Sequence, residues 1–129
     1  METKDLKAVG RGWFEQVMNR RDIGAIDSLY AEDYVYRGPA GFEVHGREGA
    51  KDIARRLIDA MPDRVSTVED QIAEGDRVVT RWVSRGTPTK PLAGRAPSGR
   101  SIAVHGVTIS RIVDGRIAED WEILHMIED

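Results

Sequence analysis

Two long β-branched runs that meet at Asp114-Gly115 restrict this chain more than any other feature. The stretch from Arg100 to Ile127, RSIAVHGVTISRIVDGRIAEDWEILHMI, reads as a hairpin of two strands, because Asp-Gly between such runs is a strong turn signal. Two forms of the turn are open. A two-residue loop pairs Val113 with Arg116 and places His105, Val107 and Ile109 on one face with Asp120 and Glu122. A three-residue loop, with Gly115 left-handed after a type I turn, pairs Ile112 with Arg116. His105, Val107 and Ile109 then share a face with Ile117, Glu119, Trp121, Ile123 and His125, while Thr108, Ser110, Ala118, Asp120 and Glu122 take the other. A one-residue slip exchanges the faces, so the hydrophobic pattern should select the register. Only the three-residue form gives one largely apolar face, and it is the expected one. It leaves His105, Glu119 and His125 as polar residues on a face that should meet a core.

The preceding residues supply what such a hairpin packs against. Leu6, Val9, Trp13 and Val17 recur at helical spacing and predict an amphipathic helix from about Lys4 to Asn19. A short helix is expected over Ile23–Leu29 with Asp22 as its N-cap, then a strand over Asp33–Arg37 that ends at Gly38-Pro39. A polar loop through Phe42 and His45 leads into a third helix, Arg47–Met61, whose stripe is Ile53, Leu57 and Met61. Val65–Ala73 and Val78–Arg85 flank Glu74-Gly75-Asp76 and read as a second hairpin. A Pro- and Gly-rich loop over residues 86–99 joins the two hairpins, and a connection of that length is a place where function concentrates. Helices segregated from a run of antiparallel strands predict an α+β fold. Four long strands must twist, so the sheet should curve around the helices and leave a conical pocket open at one end.

Composition removes several functions. A length of 129 residues with 40% hydrophobic content suits one domain with a core. A formal charge of −3 argues against a nucleic-acid surface, and the arginines are interleaved with acids rather than clustered. The absence of cysteine excludes disulfides, thiol nucleophiles and thiolate zinc sites. No run approaches a membrane span and METKDLKAVG lacks a signal-peptide core, so a soluble cytoplasmic protein is expected.

With these elements in order, the chain resembles the NTF2-like cone fold, and within it the SnoaL-like polyketide cyclase family. The resemblance rests on GDRVVTRW (Gly75 to Trp82), RGTPTKPLAGRAPSGR (Arg85 to Arg100) and RIVDGRIAEDW (Arg111 to Trp121), and covers nearly the whole chain as one domain, residues 1–129. It implies N-terminal helices on the concave face of a strongly curved, mostly antiparallel sheet. It also implies ring closure by intramolecular aldol condensation, in which an acid/base residue near the last strands works in an apolar pocket without metal or cofactor. A histidine on the preceding strand supports it. The matching positions are Glu119 as the acid/base and His105 as the histidine. The chain departs from the family pattern at Pro88, where relatives often have His after Gly-Thr. It departs again at His125, where they often have Asp, and at Tyr36-Arg37, where they tend to have Asn-His. Relatives commonly dimerise through the sheet, so a homodimer is expected, over a face carrying Val79 and Val83 or Val104 and Leu124.

A carboxylate in a desolvated pocket has a raised pKa, which suits Glu119 to taking a proton beside a carbonyl. The plainer reading of Glu119 is an ion pair with an arginine, Arg81 being one choice. His105 suits hydrogen bonding to a developing enolate or a purely structural role, and lies about 13 Å along the face from Glu119 at strand rise. His125 stands near His105 across the hairpin, and the three polar residues lack the tight spacing of a metal site. His45 falls in a loop and should be exposed. Trp13, Trp82 and Trp121, with Tyr34 and Tyr36, are expected either to wall a pocket for a small apolar or aromatic molecule or simply to fill the core. The long loop lacks the strand-then-helix setting of a phosphate cradle. Beside a cyclase, the same cone would suit a non-catalytic binder of an apolar ligand, or a lyase or isomerase of the ketosteroid isomerase or dehydratase type.

Overall fold

A computed structural model describes residues 2–128. Helix α1 (Thr3–Gly12) continues into a π-helical segment, Trp13–Asn19, and a single tight turn leads to α2 (Ile26–Leu29). Strands β1 (Tyr30–Arg37) and β2 (Glu43–His45) precede α3 (Gly46–Ala60), and β3 (Val65–Glu74), β4 (Arg77–Gly86), β5 (Ile102–Val113) and β6 (Arg116–Glu128) complete the chain. One sheet runs β2-β1-β6-β5-β4-β3. Every neighbouring pair is antiparallel except β1 with β6. This is the expected α+β arrangement of helices against a curled sheet.

Local chemistry explains most boundaries. Asp22 Oδ1 accepts from the Ala25 N–H at 3.2 Å, so it caps the second helical stretch as expected. Strand β1 begins at Tyr30 rather than Asp33, and β2 lies inside the stretch expected to be a loop. Both differences follow from pairing across the chain: β1 is held by β6, and the three residues of β2 are held only by β1. Helix faces and sheet meet in two apolar clusters. Val17, Ile26, Tyr30, Ala54, Val78 and Ile117 belong to one, and Phe14, Met61, Trp82, Ile102 and Val104 to the other. Trp13 and Leu57 pack against both.

The hairpin corrects the expected register. Val113 pairs with Arg116, so the turn is the two-residue form, with Asp114 at φ 52° and Gly115 at φ 77°. Ile112 then pairs with Ile117 and Arg111 with Glu119, which leaves Ala118 as an extra residue. That bulge reverses the parity of β6. Beyond it Ile109, Val107 and His105 oppose Trp121, Ile123 and His125, the grouping expected from the other turn form, while Ile117 moves to the opposite face.

The larger correction is which face points inward. Thr108, Ser110, Asp120 and Glu122 lie on the helix-covered inner face, and the apolar set lies outside, where Ile123 is 80% exposed. The expectation failed because inward polar groups need partners, not absence, and these have them. The proposed dimer faces divide in the same way: Val104 and Leu124 line the interior, and Val83, beside His105 on the outer face, is only 1% exposed.

Gly106 shows how closely the inner face is packed. A Cβ there would stand 2.2 Å from Trp82 Cζ2. Trp82 is itself fixed, donating from Nε1 to Thr108 Oγ1 at 2.9 Å with its ring 5.2 Å from that of Phe14. Gly106→Ala should therefore displace the indole and lower stability by about 1–3 kcal/mol. Urea denaturation followed by tryptophan fluorescence reads this, and an unchanged midpoint would show that the indole moves without cost.

Candidate active site

A cavity of about 510 Å³ opens between the helices and the inner face of the sheet. Its walls are mostly apolar: Trp13 and Phe14 from the first helical stretch, Ile53 and Leu57 from α3, Trp82 from β4, and Leu124 and Met126 from β6. The loop after β4 contributes Pro91, Leu92 and Ala93. That loop is tied down where the Thr89 N–H donates to the Ala60 carbonyl at 2.8 Å and where Leu92 and Arg95 bond each other's backbone.

One wall is polar, and its composition follows from three neighbouring strands that each supply an i, i+2 pair. Residues two apart on a strand share a face. Strand β6, in the middle, presents Asp120 and Glu122; β1 presents Tyr34 and Tyr36; β5 presents Thr108 and Ser110. Each carboxylate is thus flanked by a phenol on one side and an aliphatic hydroxyl on the other. Tyr34 Oη donates to Asp120 Oδ2 at 2.7 Å and Ser110 Oγ to Oδ1 at 2.5 Å. Tyr36 Oη donates to Glu122 Oε1 at 2.6 Å and Thr108 Oγ1 to Oε2 at 2.6 Å.

Burial outweighs those donors. Asp120 is 5% exposed, and desolvation pushes its carboxyl up to about 7. The Ser110 and Tyr34 hydrogen bonds pull it down, and the charges of Glu122 and Glu119 push it up. Burial also raises Glu122, against the Thr108 and Tyr36 hydrogen bonds. The two phenols move further from neutrality, since burial and the adjacent carboxylates both oppose a phenolate. At neutral pH the wall therefore holds a carboxyl poised between its two forms beside phenols that remain protonated donors.

Of the residues singled out in the sequence, Trp13, Trp82, Tyr34 and Tyr36 line this cavity. Glu119, His105, His125 and Trp121 do not. Glu119 points outward and pairs with Arg37 and with Arg111, whose Nε lies 3.3 Å from its Oε1. The plain reading of Glu119 as an ion-paired residue describes its surroundings, with Arg37 and Arg111 in place of Arg81, which pairs with Glu69. His105 and His125 oppose each other across the hairpin and stack, ring centroids 5.5 Å apart, on the outer face. The Trp121 ring lies there too, 5.2 Å from the Arg77 guanidinium. All four fall outside because the hairpin presents its other face to the helices. His45 is exposed, as expected, with Glu43 3.2 Å away.

Asp120, Glu122, Thr108 and Ser110 are the residues that the reading of the sequence set on the solvent side. A signal for them was present: two hydroxyls facing two carboxylates at matched i, i+2 spacing, and a Tyr-x-Tyr on another strand at the same spacing. Such triplets can satisfy one another out of water.

The model of the SnoaL-like polyketide cyclase family matches residues 8–128. Among solved structures, IdmH from Streptomyces antibioticus, a candidate polyketide cyclase, is 31% identical with a TM-score of 0.79, over 92% of this chain and 91% of that one. TsrD from Streptomyces laurentii is 26% identical with a TM-score of 0.84, over 96% and 90% respectively. AclR from Streptomyces galilaeus, a candidate hydroxylase, is also 26% identical with a TM-score of 0.81, over 96% of this chain and 77% of that one. No curated protein sequence matches the chain. No helix among the described residues is long and apolar enough to cross a membrane.

Proposed function

The chain belongs to the SnoaL-like polyketide cyclase family, and from that premise we propose that it performs cofactor-independent acid/base chemistry on an apolar carbonyl compound, with Asp120 as the acid/base. The observation that carries this reading is Asp120 itself, a buried carboxyl raised to about 7 on the wall of an otherwise apolar cavity. A base poised near the working pH combines a useful charged fraction with enough basicity to accept a proton.

The reaction this suits is an aldol ring closure. The Asp120 carboxylate takes a proton from the carbon beside a substrate carbonyl, and the resulting enolate attacks a second carbonyl of the same molecule. One carbon–carbon bond forms, and the new alkoxide takes back the proton from Asp120. Once Asp120 is protonated it no longer needs both of its donors, so Tyr34 Oη can turn to the developing oxyanion. Glu122, with Tyr36 and Thr108 as its donors, repeats this arrangement one step along the wall, suited to orienting the distal carbonyl. Trp13, Phe14 and Trp82 exclude water from the enolate.

Deuterium exchange at the α-carbon of β-tetralone in D2O, followed by NMR, tests the proton-transfer half without knowledge of the natural substrate. Wild-type protein should accelerate exchange over buffer, and Glu119→Gln should retain most of that acceleration while losing the Arg37 and Arg111 pairs. Loss of exchange in Glu119→Gln with full retention in Asp120→Asn would return the role to Glu119. Ketone binding without any exchange would make the domain a binder.

A further inference from the structure

The mechanism leaves one buried charge unused. Arg64 follows the turn after α3 and immediately precedes β3; it is 6% exposed and lines the cavity. Its Nε is buried with no hydrogen-bond partner among the described residues. Among the described residues it forms no ion pair with a carboxylate, and no carboxylate is among the causes of its pKa shift. Burial pulls the guanidinium down to about 10, and the one neighbouring charge, that of Arg21, pushes in the same direction. The Arg21 guanidinium itself donates to the carbonyls of Met18, Pro62 and Arg64. A buried guanidinium without a counter-charge is unfavourable, and folds pair such groups or supply them with a ligand.

We propose that Arg64 binds the carboxylate of the molecule that enters this cavity, so that the substrate is an apolar carboxylic acid whose reacting carbonyls lie away from its acid group. The guanidinium is a planar fork that matches a carboxylate. Ser84, which also lines the cavity, is already bonded to Ser66 at 2.7 Å. Phe14, Ala60, Trp82 and Leu92 are apolar parts of the lining, and Arg56 of α3 is a second cationic residue on it.

Registers separate this point from the acid/base pair. Ser66 faces Ser84, Ser84 faces Val104, and Val104 faces Met126, which lies four residues beyond Glu122 and six beyond Asp120 on β6. At strand rise those intervals are about 13 and 20 Å between backbones. The acid group would therefore anchor one end of the molecule and leave the other against Asp120 and Glu122. This deepens the carbonyl-chemistry reading, and rests on it only for what happens to the molecule once bound.

The test compares naphthoate with methyl naphthoate, its neutral ester, as probes, by titration calorimetry on the full chain. Wild-type protein should bind the acid at least tenfold more tightly than the ester, the scale of one hydrogen-bonded charge. Arg64→Gln should weaken the acid by about the same factor and leave the ester within about twofold. Arg64→Lys, which keeps the charge without the fork, should fall between them and guards against a Gln variant that does not fold. Equal binding of acid and ester by the wild type, an acid preference that survives in Arg64→Gln, or no binding of either probe would each overturn the proposal. Asp120→Asn separates this site from the chemistry: it should keep the acid preference while losing proton exchange. Acid preference in a wild-type protein that catalyses no exchange would leave Arg64 standing and the carbonyl chemistry refuted.

Discussion

Asp120→Asn should reduce α-proton exchange by about a hundred- to ten-thousand-fold, the range that a positioned general base contributes. The substitution keeps the shape of the side chain and one carbonyl oxygen to accept from Tyr34 or Ser110, while Ser110 Oγ can accept from the new amide. Folding should survive, so the loss reports chemistry. The pH profile is the sharper reading. The active form is the carboxylate, so the wild-type rate should climb as pH rises and level off above a midpoint near the Asp120 value of about 7. In Asp120→Asn that limb should be missing, and whatever exchange remains should follow the buffer. A wild-type midpoint near the ordinary carboxylate range would show that the reacting base is an exposed acid instead.

The difference between Glu119 and Asp120 shows where a sequence can and cannot be read. Helix stripes, the Asp22 cap and both hairpins follow from local periodicity and turn chemistry, and these were legible. The parallel pairing of β1 with β6 joins segments more than eighty residues apart, for which no local pattern exists. The same pairing brings Tyr34 and Tyr36 to the carboxylates, and without it Asp120 and Glu122 look like residues that must face solvent. Hydrophobic alternation could group the residues of β5 and β6 into two faces, but it ranked the faces wrongly. The inner face of an open cone is a cavity wall and tolerates polar groups that are paired, whereas the outer face can carry Val107 and Ile123 in the open. The bulge at Ala118 concealed the turn type, because it restores the parity that the other turn would have given. Arg64 escaped notice for a different reason: next to Pro62-Asp63 it reads as a residue of a solvated turn, and only the folded chain buries it on the cavity lining.

Stability should fall as pH rises through the same window, and Asp120→Asn should abolish most of that fall. Below the ordinary value of 3.8 the Asp120 carboxyl is protonated in both folded and unfolded chains. Between 3.8 and about 7 the unfolded chain releases the proton and the folded chain keeps it, so every rise in pH favours unfolding. At about 1.4 kcal/mol per pH unit over this interval, the loss from Asp120 is at most on the order of 4 kcal/mol. Glu122, raised by the same burial, acts in the same direction. Urea denaturation of wild type and Asp120→Asn at pH 5 and pH 8 isolates the effect, since every other titrating group is common to both proteins. Asp120→Asn should become the more stable of the two at the higher pH, by a few kcal/mol relative to their difference at the lower. If the gap between them is the same at both pH values, Asp120 titrates as an ordinary carboxylate and the basis for its role as a base near neutrality is gone. If the gap opens as expected, the destabilisation is the cost of holding a carboxyl out of water at the wall of the cavity, where nothing about folding alone requires one.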